Sequence, residues 1–111
     1  MSGDSGRYTP PSNGGGVVND DVCSKLRFET QVSNVDPDVL EDIDVDFVVD
    51  IGLIQENGVE TVAVFYGERI LGGIGRDGAR LKACLEKGFS FVGLVRSIEF
   101  GVVRIFVQPN E

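Results

Sequence analysis

The chain has 111 residues, a formal charge of −8, 41% hydrophobic residues and neither histidine nor tryptophan. That length describes one small domain with a modest core. The absence of histidine removes the commonest general base, the usual partner of a serine or cysteine nucleophile and a standard ligand of structural zinc.

No apolar run approaches the roughly 20 residues a membrane helix needs, and no charged-then-apolar leader is present. The expected location is therefore cytoplasmic, with no membrane association. Residues 1–20 are rich in Gly, Ser, Pro and Asn, a composition that cannot offset the entropy of ordering a chain, and read as a flexible tail. Residues 21–111 read as the single folded domain.

From Cys23 the pattern alternates strictly. Leu26, Phe28, Thr30 and Val32 fall on one face and Lys25, Arg27, Glu29 and Gln31 on the other, which predicts a half-buried antiparallel strand. Ser33 or Asp36 ahead of Pro37 reads as a cap with proline at the first helical position, and predicts one short turn through Leu40 and Ile43. A second strand follows from about Val45 to Gln55, with Phe47, Val49, Ile51 and Leu53 on one face.

Asn57-Gly58 between alternating apolar runs is a strong hairpin signal and leads into "VETVAVFY". A tight turn at "YGER" leads to the short strand "RILGGI". A helix is predicted from about Asp77 to Lys87, with Leu81, Cys84 and Leu85 inward and Gly88 placed to stop it. Two final strands, "FSFVGLVRSI" and "VVRIFVQ", join through "EFG". The expected fold is mostly β (α+β): a small, strongly bent antiparallel SH3-like or OB-like barrel of about six strands, with one short helical turn and one α-helix. Closure would remove exposed strand edges.

Cys23 and Cys84 each sit in an apolar pattern and read as two buried thiols in a reducing compartment. Gly73-x-Gly75-x-x-Gly78 just ahead of a helix superficially matches a dinucleotide fingerprint, but the preceding strands form tight hairpins and too little chain follows to complete a nucleotide-binding half. Two readings stay open. The glycines let a short strand kink into the helix, or Arg69, Gly73, Gly75, Arg76 and Arg80 form a small anion or nucleic-acid contact at the helix start.

The acids concentrate before Phe65, and the remainder is slightly basic. The run that includes Asp38, Glu41, Asp42, Asp44 and Asp46 is either a solvated surface or a recognition face for a basic partner. "DIDVDFVVD" lacks the glycine of a calcium loop, so no metal is expected. No cofactor is expected either.

Residues 61–108, "TVAVFYGERILGGIGRDGARLKACLEKGFSFVGLVRSIEFGVVRIFVQ", resemble the latter half of a HIRAN domain. "ILGGI" at Ile70 to Ile74 stands for that family's glycine-containing hairpin, and "GARLKACLEKG" for its helix. The resemblance implies a small barrel and, as in members of that family, binding of single-stranded DNA ends beside helicase-type modules. Taken with composition, the expectation is a non-catalytic binding module, a protein-protein adaptor or accessory subunit of a larger system such as a nucleic-acid-processing one. The alternatives are HIRAN-like binding of single-stranded nucleic acid or DNA ends, and an acidic inhibitor or DNA mimic that fills a partner's basic groove.

Overall fold

A computed structural model describes residues 20–75 and 77–110. The tail reading falls almost entirely on residues outside this range, as does Arg76. In chain order the elements are α1 (Asp20–Lys25), β1 (Phe28–Gln31), α2 (Pro37–Leu40), β2 (Val48–Glu56), β3 (Val59–Tyr66), β4 (Arg69–Gly73), α3 (Gly78–Glu86), β5 (Phe91–Glu99) and β6 (Val102–Pro109). All six strands lie in one antiparallel sheet in the order β1-β6-β5-β2-β3-β4.

The sheet is not closed by a continuous ladder. Its two edge strands meet at one bridge, where Ser33, just past β1, exchanges hydrogen bonds with Gly73: Ser33 N–H to Gly73 O at 2.8 Å and Gly73 N–H to Ser33 O at 2.9 Å. Asp36 N–H adds a bond to Leu71 O at 2.8 Å. The expected barrel is thus a curled six-stranded sheet pinned at one point. β1 has only four residues, and the chain turns away into α2 before a longer ladder can form.

Turn chemistry behaves as the local sequence predicts. Asn57 and Gly58, and Phe100 and Gly101, all have positive φ, which matches the right-handed twist of the hairpins they join. Asp36 caps α2, its carboxylate accepting from Asp38 N–H at 2.9 Å with Pro37 in the first helical position. Gly88, at φ +99°, ends α3.

The segment from Cys23 departs from expectation, because the chain is helical to Lys25 before it extends. Asp20 and Asp21 in the first turn and Lys25 in the last complement the helix dipole. The alternation from Leu26 onward holds, with Leu26, Thr30 and Val32 buried.

The core lies on the concave side of the sheet under α1 and α3. Val49, Val64, Leu71, Val95, Val103, Ile105 and Val107 from the strands meet Leu81 and Cys84 of α3, all at most 1% exposed. Full burial of each such side chain contributes about 1.5–3 kcal/mol.

Cys23 and Cys84 are buried, as expected, but they are bonded to each other, with Cα atoms 5.5 Å apart and a sequence separation of 61. This corrects the reading of two free thiols. α1 packs against α3 and places the two side chains together, a proximity that spacing alone does not reveal. Disulfides are common in oxidising surroundings and rare in a reducing cytoplasm.

Candidate functional site

The two faces of the sheet differ. Inward positions fill the core, while strand alternation turns Phe106, Leu94 and Val48 outward as direct cross-strand neighbours on β6, β5 and β2. In the adjacent row Val92, Asp50, Phe65 and Ile70 lie side by side across β5, β2, β3 and β4. Apart from Asp50 these named members are apolar, Glu29 beside Phe106 and Gln108 beside Val92 end the two rows, and none of the named members belongs to the core cluster. Val48 is 59% exposed and Ile70 42%.

The face has internal order. The Phe65 ring lies over Gly52, where an added Cβ would sit 3.2 Å from Cε1. The Arg96 guanidinium stands 5.8 Å from the centroid of Phe106, a cation–π contact that covers one end of the row. At the other end Ile54, Ala63 and Ile70 line a small groove of about 150 Å³ that continues to Gly72 and Asn34.

Of the predicted anion site, Arg69, Gly73, Gly75 and Arg80 lie among the described residues. The Arg69 Nη2 donates to Asp42 Oδ2 at 2.6 Å, so one member of the proposed basic site pairs with one member of the acidic run. Gly73 forms the Ser33 bridge, and Arg80 is exposed on α3. Gly78 N–H donates back to Gly75 O at 3.0 Å and Ile74 N–H to Val62 O at 3.2 Å, so amides of this turn serve the fold. Gly72 explains itself sterically, since a Cβ there would lie 2.4 Å from Ser33 O and 2.6 Å from Val32 Cγ1.

Much of the acidic run has local employment. Besides Asp42, the Asp44 carboxylate accepts from Val45 N–H at 2.8 Å. Asp46 adopts φ +75° and donates its N–H to Val95 O at 2.8 Å. Asp38 lies in the first turn of α2 and Glu41 at its C-cap, both exposed. Basic groups of the second half also meet acids of the first elsewhere, in Lys87–Asp20 at 3.1 Å and Arg104–Glu29 at 2.7 Å. The charge division along the chain is thereby partly cancelled in space.

A second, polar groove of about 350 Å³ runs beside β1. Glu29, Thr30, Gln31 and Ser33 line it, together with Gly75 and Asp77 of the glycine turn and Arg104 of β6. Of the predicted site residues that are described, only Gly75 faces this groove. The apolar outer rows and this groove were both missed by sequence reasoning. The outward positions of Val92, Leu94 and Phe106 were visible as the second set of an alternating pattern, but apolar residues on both sets do not say which face is covered.

One carboxylate pair also comes together. Glu60 on β3 and Glu86 at the end of α3 share a hydrogen bond, which raises the Glu60 carboxyl above its ordinary value; desolvation and the Glu86 charge add to this, and Lys82 opposes it. The pair lines neither groove.

No family model, no curated protein and no solved structure matches this chain.

Proposed function

We propose that this domain is a non-catalytic binding module that docks a partner protein on the outer face of its sheet, in the manner of an adaptor or accessory subunit. The observation that carries the reading is the pair of solvent-facing apolar rows, Phe106–Leu94–Val48 and Val92–Phe65–Ile70. An interface core of aromatic and aliphatic side chains with a polar rim is the usual anatomy of protein recognition. Asp50 within the rows and Glu29 at their end favour a partner whose matching surface is apolar and rimmed by lysine or arginine, in keeping with the net charge of −8.

The test compares partner recovery by the unmodified protein with that by a Val48→Asp, Leu94→Asp double variant after nuclease treatment. Both positions face solvent or are half-buried, so the variant keeps its core. Recovery that survives nuclease and falls at least tenfold in the variant supports the reading. Equal recovery by the two proteins overturns it. Binding of single-stranded DNA at low salt that Arg80→Glu abolishes would put nucleic-acid recognition in its place.

A further inference from the structure

β1 ends the sheet on its side and pairs with β6 alone. Val32 N–H donates to Val103 O at 2.9 Å. Because antiparallel neighbours alternate between hydrogen-bonded and non-bonded pairs, this bond assigns the even-numbered residues of the segment to β6. The N–H and C=O of Glu29 and Gln31 therefore point away from the sheet. Ser33 continues that outward series and finds Gly73 across the seam. One position is joined and the two before it open onto the groove of about 350 Å³.

The geometry points to this seam as a strand-addition site for a short, extended, basic peptide segment of a partner. Such a segment pairs with the backbone of Glu29 and Gln31 and prolongs the closure that Ser33 and Gly73 begin. The occupant is extended because the site offers backbone donors and acceptors at strand spacing; the four residues of β1 span about 13 Å, room for three or four residues.

The occupant is basic because of what faces the groove. The Asp77 side chain does not cap α3 and makes no hydrogen bond or ion pair among the described residues. Glu29 already shares its carboxylate with Arg104, so the lining among the described residues carries two acids against one base. A lysine on the outward side of an added strand would lie between Glu29 and Asp77. A second copy of β1 fits poorly, since antiparallel pairing about this edge brings the two Glu29 side chains near each other. Of the protections an edge strand can carry, "FETQ" has its short length and the Glu29 charge but no lysine, proline or bulge.

The experiment is a nitrogen-15 NMR titration of the full chain with a capped peptide of alternating valine and lysine. The amides of Glu29, Gln31 and Gly75 should shift together and saturate, and Glu29 and Gln31 should become protected from exchange. Gln31→Pro removes one outward donor without touching the β6 ladder, a placement proline tolerates at a sheet edge, and should weaken binding roughly tenfold. Asp77→Asn leaves the strand untouched and should weaken binding and flatten its salt dependence. Protection of the Glu29 and Gln31 amides in the free protein would overturn the proposal, as would no shift at millimolar peptide. Equal binding by a peptide N-methylated at alternate residues would overturn it too, because charge attraction alone would then account for the contact.

Discussion

Replacing Gly72 with alanine tests what the glycine-rich turn is for. The new Cβ would meet the Ser33 carbonyl oxygen at 2.4 Å and Val32 Cγ1 at 2.6 Å. To restore an ordinary contact near 3.4 Å the two segments must part by about 1 Å. The Ser33–Gly73 hydrogen bonds, at 2.8 and 2.9 Å, would then be stretched beyond useful range. Losing two such bonds costs about 1–3 kcal/mol, and displacing the buried Val32 costs about 1–3 more. Alanine recovers about 0.4–1 kcal/mol by restricting the unfolded chain. The net expectation is a destabilisation of about 1–5.5 kcal/mol, a large share of the roughly 5–15 kcal/mol typical of a domain. Denaturant melts give the magnitude, and exchange of the Ser33 and Gly73 amides locates it. Gly75→Ala is the control, because its Cβ would sit 3.5 Å from the Ser33 hydroxyl and should change stability by less than about 1 kcal/mol. A Gly72→Ala protein within about 1 kcal/mol of the parent, with Ser33 still protected, would refute the close-approach argument.

Two further outcomes follow from side-chain pairs the fold creates. The Cys23–Cys84 bond closes a loop of 61 residues, for which chain entropy alone gives about 4 kcal/mol of stabilisation. Unfolding of the Cys23→Ser, Cys84→Ser variant, or of the parent in reductant, should shift by a comparable amount, and an unchanged denaturation midpoint would contradict the pairing. Glu60 has a raised folded-state pKa, so the folded chain binds that proton more tightly than the unfolded one. Its contribution is complete below the ordinary value of 4.5 and is lost as pH rises through the raised one. Glu60→Gln should therefore raise the melting temperature at pH 7, where the carboxylates repel, and not at pH 4; the same gain at both values would show that the Glu86 contact is not electrostatic.

Local features of this protein were legible in the sequence wherever short-range chemistry dictates them. Period-two alternation identified the strands, Asn57-Gly58 and Phe100-Gly101 their hairpins, Asp36-Pro37 a helix start and Gly88 a helix stop, because each depends on φ preferences or on a hydrogen bond to a neighbour a few residues away. The six strands and their antiparallel sense followed from connections too short for parallel crossovers. α1 was not legible, since its few residues also fit a strand pattern and its only buried side chain is the cysteine that meets α3.

Tertiary structure decided which distant segments meet. It set β1 against β6, brought Cys23 to Cys84, gave Arg69 to Asp42, and left the seam beside Glu29 and Gln31 open with a single bridge at Ser33. It also decided which of two apolar faces was buried, leaving Leu94, Val48 and Ile70 toward solvent. Alternation states that two faces exist, but only the arrival of α1 and α3 on one of them determines which face becomes core and which stays toward solvent.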